Sequence, residues 1–248
     1  MASDAPRLPI DDDTSVLVLT GAGVSAESGI PTFRDAGGVW EQYAIEQVAS
    51  PQGFARDPAL VWRFYSERRR KALTCAPNPG HLTLVALEAR LGDRFLLATQ
   101  NVDGLHGRAG SIRLVEMHGN LFLTRCSHCS LPPFVDETEP EEPPTCPACA
   151  KQGRTSLLRP HIVWFGENLD PGHLERVEAF MAQARRLVFL AAGTSGAVWP
   201  AAGFVSAAHG HGASTWLVNA EAAENTVLFD HFVRGRSGEI LPGLLAPA

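Results

Sequence analysis

Short apolar runs recur along this chain, and each gives way to small or polar residues on its C-terminal side. Val16-Leu17-Val18-Leu19 leads into Thr20-Gly21-Ala22-Gly23, and Phe95-Leu96-Leu97-Ala98 into Thr99-Gln100-Asn101-Val102-Asp103. Leu187-Val188-Phe189-Leu190 leads toward Gly193-Thr194-Ser195, and Trp216-Leu217-Val218 into Asn219. Apolar runs of this length, without polar alternation, read as parallel strands buried on both faces. Helical patterns lie between them. Asp57-Pro58 supplies an N-cap and a first-turn proline for a helix running to about Leu73. Asn78-Pro79 opens a second helix with Leu82, Val85, Ala86 and Ala89 on its inward face and Gly92 as its stop. Asp170-Pro171 opens a third, with Leu174, Val177, Met181 and Ala184 inward. This alternation predicts an α/β fold, a doubly wound parallel, Rossmann-like sheet. Ligands of such sheets bind at the C-terminal strand edge, where the polar residues collect.

Four cysteines interrupt the alternation. Cys126 and Cys129 form one CxxC pair, Cys146 and Cys149 another, with 16 residues between the pairs. That spacing suits a zinc ribbon, in which two turns each offer two thiolates to one tetrahedral ion. The alternatives are two disulfides or four unrelated buried cysteines. Disulfides belong to oxidising compartments, and Met1 to Ser15 has no apolar leader and carries Asp4, Asp11, Asp12 and Asp13. A cytoplasmic chain with one structural zinc is therefore expected; four thiolates close the site to substrate. Cys75 reads as a small buried hydrophobe. The stretch Pro132 to Pro144, rich in proline and acid, suits a solvated loop. Insertions then build a smaller zinc-ribbon and helical lobe from residues 35–74 and 122–158, and residues 1–34, 75–121 and 159–248 form the sheet domain.

Composition narrows the partners. Of 248 residues, 45% are hydrophobic and 19% charged, as in ordinary globular proteins. No apolar run reaches the roughly 20 residues that span a bilayer, so no membrane partner is expected. The net charge of −6 gives a nucleic-acid partner no support. Arg68-Arg69-Arg70-Lys71 is the exception and reads first as a solvated helix face.

Gly21-Ala22-Gly23-Val24-Ser25-Ala26 is a GxGxxA sequence directly after a strand. Glycine lets the backbone approach a pyrophosphate, and the helix that follows stabilises its charge. An ordinary tight turn between strand and helix has the same look. A dehydrogenase needs a second strand ending in Asp or Glu about 20 residues on, to hold the ribose. Here Gly29-Ile30-Pro31-Thr32-Phe33-Arg34-Asp35 follows instead, and no β run comes before Phe95. A dinucleotide would place its second half differently.

Gly21 to Arg34 as a whole resembles the signature of the sirtuin family, the NAD-dependent protein deacylases. Thr99-Gln100-Asn101-Val102-Asp103-Gly104-Leu105-His106 resembles its second motif, and His118-Gly119-Asn120 the motif of its catalytic histidine. The cysteine pairs, Pro160-His161-Ile162-Val163-Trp164-Phe165-Gly166-Glu167, Gly193-Thr194-Ser195 and Val218-Asn219-Ala220-Glu221 follow in the family's order. The matches run from about Val16 to Pro242.

The resemblance implies a reaction. An acyl-lysine carbonyl oxygen attacks the nicotinamide ribose as nicotinamide leaves, a ribose hydroxyl captures the imidate, and water releases lysine and O-acyl-ADP-ribose. A carbonyl oxygen is a weak nucleophile, so orienting NAD matters more than a strong base. By similarity, Asn101 and Asp103 hold the nicotinamide end and Gln100 contacts the ribose. Phe33 and Arg34 belong to a loop that covers the nicotinamide. Gly21, Ala22, Gly23, Thr194 and Ser195 line the phosphates, with Ala26 and Gly193 in the same NAD-binding set. Asn219 and Glu221 take the adenine-side ribose, and Ser237 the adenine. His118 is the base; alone, a histidine after Val115-Glu116-Met117 would read as structural, and its place in the motif makes the difference. His106 and His161 read as structural. Val163, Trp164, Phe165, Gly166 and Glu167 bind an acyl-lysine peptide as an added strand.

Tyr65 and Arg68 share a helix face at a spacing of three. Tyr-x-x-Arg resembles the signature of sirtuins that prefer succinyl and malonyl groups, because a guanidinium fork and a phenol can hold a carboxylate. Ala49 matches the small residue that leaves such a pocket roomy. Gly196 and Ala197, where larger aliphatics are common, suggest looser packing beneath the cofactor. The expected protein is a monomer acting on acylated-lysine proteins. Rival readings are a mono-ADP-ribosyltransferase, a pyridine-nucleotide dehydrogenase and a non-enzymatic zinc-ribbon adaptor; the last two leave His118-Gly119-Asn120 unexplained.

Overall fold

The computed structural model describes residues 7–32, 44–140 and 142–247. Its strands are β1 (Thr14–Thr20), β2 (Phe95–Thr99), β3 (Leu114–Glu116), β4 (Gly119–Cys126), β5 (Phe134–Val135), β6 (Leu158–Ile162), β7 (Arg186–Ala192), β8 (Ser214–Asn219) and β9 (His231–Arg234). The α-helices are α1 (Ala22–Ala26), α2 (Ile45–Val48), α3 (Pro51–Arg56), α4 (Pro58–Leu73), α5 (Pro79–Leu91), α6 (Leu105–Ala109), α7 (Pro147–Ala150), α8 (Pro171–Gln183), α9 (Phe204–Gly210) and α10 (Ser237–Leu244). None of these helices is long and apolar enough to cross a membrane.

Six strands pair in parallel in the order β3-β2-β1-β7-β8-β9. Successive strands step outward in one direction from β1 and in the other from β7, so the order reverses between them. In this doubly wound arrangement a crevice opens at that switch point, beyond the carboxyl ends of the strands. The register brings those ends level, with Thr20 beside Thr99 on one side and Ala192 on the other. Every residue of β1 and β2 is buried, as their unbroken apolar runs require. Alternate residues serve opposite faces: Val16, Val18, Leu97 and Leu190 pack with Leu84 and Leu241. Leu17, Leu19, Leu96 and Phe189 pack with Met181 and Val205.

The helix starts follow their caps. The Asp57 carboxylate accepts from Leu60 N at 2.8 Å, Asn78 Oδ1 from Gly80 N at 2.9 Å and Asp170 Oδ1 from Gly172 N at 2.8 Å, each just before a proline in the first turn. The inward face expected for α5 needs correction. Leu82 is 54% exposed, and the buried face carries His81, Leu84, Leu87, Glu88 and Leu91. Both sets keep helical spacing, so periodicity alone does not choose between them; the leucine-rich face covers more apolar area and wins. On α8, Val177 and Met181 are buried, with Leu174 and Ala184 packed beside them.

A second, antiparallel sheet of order β5-β4-β6 carries the cysteines and packs with α3 and α4. Its shared core includes Val61, Trp62, Phe64, Leu121, Cys149, Ile162 and Trp164. The cationic run on α4 is not one solvated face. Arg69 is fully buried, and it donates to the carbonyls of Leu121 and Thr138 and to Thr124 Oγ1, with Asp136 3.4 Å away. The acidic stretch expected to be solvated thus turns Asp136 inward as the counter-ion. Cys75 is buried, as expected of a small apolar side chain.

Candidate active site and metal centre

The glycine loop and the loop after β7 meet backbone to backbone at the switch point. Gly21 N donates to Ala192 O at 3.0 Å and Gly23 N to Gly193 O at 2.8 Å. Gly193 has φ +61°, and a Cβ there would lie 2.3 Å from Val24 N. Glycine is demanded by this contact before any ligand arrives. The helix that follows, α1, has five residues, so its dipole is that of little more than one turn. Nor is packing beneath this loop loose at Gly196. Its φ is +70°, and an added Cβ would meet Asn225 Oδ1 at 2.0 Å.

Hydrogen bonds tie the strand ends together. Gln100 Nε2 donates to Thr194 Oγ1 at 3.0 Å, and Asn219 Nδ2 to Thr194 O at 2.9 Å. One cleft of about 1720 Å³ is lined by Gly21, Ala22, Gly23, Ala26, Gln100, Asn101, Gly193, Thr194, Ser195, Asn219, Glu221 and Ser237. The same cleft is lined by Ala49, Tyr65, Arg68, His118 and residues 163–167. Asp103 lies behind this lining, buried, with Leu105 N donating to its carboxylate at 2.8 Å. Phe33 and Arg34 lie outside the described residues.

Asn101 uses both amide protons inside the protein, on Gly21 O at 3.0 Å and Ser25 Oγ at 3.1 Å. Among the described residues nothing donates to its Oδ1, which can accept from a ligand. His118 Nδ1 lies 3.0 Å from the Gln100 carbonyl oxygen. A carbonyl only accepts, so Nδ1 carries the proton and Nε2 keeps the lone pair. Burial lowers the pKa of His118, with the Gln100 contact opposing, which keeps the ring neutral. Burial also raises Asp103 above the usual carboxylate range. It pushes Glu116 up to about 7 against a hydrogen bond from Asn120 Nδ2. Glu116 drew no attention in the sequence, where nothing marks it as half-buried beside Asn120.

Tyr65 is buried and Arg68 half-buried on the cleft side of α4. The Arg68 guanidinium lies 5.4 Å from the Phe64 ring centre, and burial lowers its pKa while Tyr65 and Asp103 oppose that. Tyr65 accepts a hydrogen bond from Trp164 Nε1 at 3.0 Å.

The segment expected to pair with a peptide has little to donate. Val163 N binds His118 O, Phe165 N binds Ala49 O and Glu167 N binds Trp164 O, while Trp164 N binds Glu167 Oε2. Glu167 is engaged by Arg159 at 2.6 and 2.9 Å and by Arg125 at 3.3 Å. Arg159, absent from the sequence reading, is therefore the anchor of this loop.

The four cysteine sulfurs gather within 4.8 Å of one another. Cys126 Sγ lies 3.8 Å from Cys149 Sγ, and Cys129 Sγ 3.7 Å from Cys146 Sγ. A tetrahedral ion with Zn–S bonds of about 2.3 Å separates its sulfurs by about 3.8 Å. A disulfide would need about 2.05 Å. The geometry fits zinc, and Cys126, Cys129, Cys146 and Cys149 would hold it.

Comparison with known proteins shows the family. A sequence profile of the Sir2 family matches residues 21–200. The chain is 48% identical over 231 residues to an NAD-dependent protein deacylase of Caulobacter vibrioides, covering 92% of this chain and 93% of that one. It is 42% identical to the mitochondrial NAD-dependent protein deacylase sirtuin-5 of Canis lupus familiaris, over 94% of this chain and 81% of that one. Among solved structures, a Sir2 homologue in complex with NAD superposes with a TM-score of 0.82 at 42% identity, covering 92% and 87% of the two chains.

Proposed function

This chain belongs to the Sir2 family and is an NAD-dependent protein-lysine deacylase; we propose that its acyl pocket takes succinyl and malonyl groups as well as acetyl. The observation that carries the proposal is the placing of Arg68 and Tyr65 in the cleft that also holds His118. A half-buried guanidinium and a buried phenol on one wall are the donors a short dicarboxylic acyl chain needs at its far end. Ala49, buried on the same cleft, keeps its wall low.

NAD is a substrate here, and the residues divide its handling. Gly21, Ala22, Gly23, Thr194 and Ser195 are assigned to its phosphates, with Ala26 and Gly193 in the same NAD-binding set and Asn219, Glu221 and Ser237 at the adenosine end. Asn101 Oδ1 and Asp103 are assigned to the nicotinamide end, and Gln100 to the ribose. His118 Nε2 takes the ribose hydroxyl proton, its tautomer held by the Gln100 carbonyl. Val163 to Glu167 receives the peptide as an added strand through main-chain hydrogen bonds. Zinc stiffens the small lobe and takes no part in the chemistry, since four thiolates leave it no open position. The sheet domain is assigned to 1–34, 75–121 and 159–248, and the small lobe to 35–74 and 122–158. We also propose a monomer acting in the cytoplasm on acylated proteins, without nucleic-acid or membrane partners; the net charge of −6 offers nothing to a phosphate backbone.

Matched acetyl-, succinyl- and malonyl-lysine peptides, assayed with NAD, test the pocket. Arg68→Met is expected to cut kcat/KM for succinyl-lysine by roughly 10–100-fold, the worth of a charge-assisted pair. Acetyl-lysine has no carboxylate and loses far less. The rival role for Arg68 is electrostatic support of Asp103, which it also faces. That role predicts equal losses on all three peptides, and equal losses would withdraw the acidic-acyl assignment while leaving the deacylase standing.

A further inference from the structure

We infer that Trp164 is a positioning residue for the acyl pocket: its indole N–H occupies the acceptor side of the Tyr65 hydroxyl and so turns that hydroxyl's proton toward the carboxylate of an incoming acyl chain. The inference deepens the acidic-acyl reading and rests on it. Its basis is a directional contact. Trp164 Nε1 lies 3.0 Å from the Tyr65 oxygen, and an indole nitrogen can only donate. The phenol must therefore accept there. It has one proton, which must point elsewhere, and among the described residues no acceptor takes it. Tyr65, Trp164 and Arg68 all line the cleft.

The indole is held from several sides. Its backbone N–H donates to Glu167 Oε2 at 2.9 Å. The Arg159 guanidinium sits 3.3 Å from the ring centre, itself fixed by the Glu167 carboxylate and by Ile162 O at 2.9 Å. The Phe54 ring packs at 5.4 Å. Trp164 is 2% exposed and Tyr65 4%. A phenol O–H otherwise rotates to suit its surroundings; here a chain from Glu167 through Arg159 and Trp164 selects its direction beforehand. Burial pushes the Tyr65 pKa up to about 12, so the proton stays in place to be donated at neutral pH. An acetyl group presents no carboxylate at that depth, so the aimed proton favours acidic acyl chains selectively. Trp164 is assigned to the peptide through its main chain; its side chain serves the acyl pocket as well.

The test reads the ratio of kcat/KM on matched succinyl- and acetyl-lysine peptides. Two replacements remove the N–H: Trp164→Phe, and β-(3-benzothienyl)alanine at position 164, which keeps the indole's shape with sulfur in place of the N–H. Any loss common to both peptides reports packing; the ratio reports the hydroxyl. We expect the ratio to fall roughly 2–10-fold, the range of one neutral hydrogen bond, chiefly through the succinyl KM. In a Tyr65→Phe background the same replacements should leave the ratio unchanged, because the oxygen they act through is gone. The inference is overturned if the benzothienyl variant keeps the wild-type ratio, or if the ratio falls equally without the Tyr65 hydroxyl. Arg68→Met, run in parallel, separates the two levels. If it lowers the ratio and the Trp164 replacements do not, the acidic-acyl reading stands and the inference falls. If it leaves the ratio unchanged, both fall.

Discussion

His118 has one ring nitrogen free to act as a base, because the other donates to the Gln100 carbonyl. In the proposed role the neutral ring is the active form, and burial lowers its pKa. The acid limb of the kcat/KM profile should therefore lie below the ordinary histidine value of about 6.5. His118→Ala should lower turnover of every acyl peptide by roughly 10²–10⁴-fold, the usual worth of a positioned base, while NAD binding measured by calorimetry changes little. A loss confined to one acyl type would move His118 into the acyl pocket. The motif singles out this histidine, and it lines the cleft. The Gln100 carbonyl that fixes its tautomer was not legible in the sequence, because a main-chain acceptor leaves no mark on residue type. Trp164 was singled out for its backbone, and its indole contact with Tyr65 joins positions 99 apart, a distance no local pattern spans.

On α4 two neighbouring arginines do different work. Arg68 faces the cleft, and Arg69 shares the buried side with Val61, Trp62, Tyr65, Ser66 and Ala72. Arg69→Met would take a donor from three carbonyls and the Thr124 hydroxyl, and the buried counter-ion from Asp136, at a cost of about 3 kcal/mol or more. Thermal unfolding should show that loss, and the small lobe should open first. Arg70, whose side chain is 66% exposed beside Glu139, is the proper comparison; Arg70→Met should change stability by no more than about 0.5 kcal/mol. Equal shifts for the two variants would refute the assignment. Caps were legible at this scale because Asp57-Pro58, Asn78-Pro79 and Asp170-Pro171 encode a local hydrogen bond. Helix faces were less so. A cation at a helical position reads as solvated until the carbonyls of β4 and the loop after β5 are seen around it, and α5 carries two faces of equal spacing.

In the molecule as a whole, two buried histidines and the half-buried Glu116, outside the proposed chemistry, contribute to the acid response. Burial pushes His81 down to about 4, and His106 to about 3 with His81's help. The unfolded chain takes up both protons near pH 6.5. Between there and about pH 4 the folded state binds fewer protons, so this contribution is complete above pH 6.5 and is lost on acidification. Glu116, up at about 7, runs the other way, since its folded form holds a proton that the unfolded chain releases above about pH 4.3. Two groups oppose one, so Tm should fall from pH 6.5 toward 4.5, and Glu116→Gln should steepen that fall. An unchanged slope in the variant would remove Glu116 from the account. The parallel sheet and the cysteine cluster were legible from strand runs and CxxC spacing. The cleft was legible only in parts, since its walls come from strand ends, α4 and the segment after β6, and their meeting is a matter of tertiary packing.

The contact of Gly21 and Gly23 with Gly193 has a consequence for anyone diversifying this enzyme. Positions 23 and 193 leave no volume for a side chain whether or not a nucleotide is ever bound. A mutational scan scored on cellular abundance alone, blind to catalysis, meets the same wall there as one scored on activity. Libraries meant to alter cosubstrate preference are better aimed at Ser195, Asn219 and Glu221, whose side chains border the open cleft rather than the seam between two backbones.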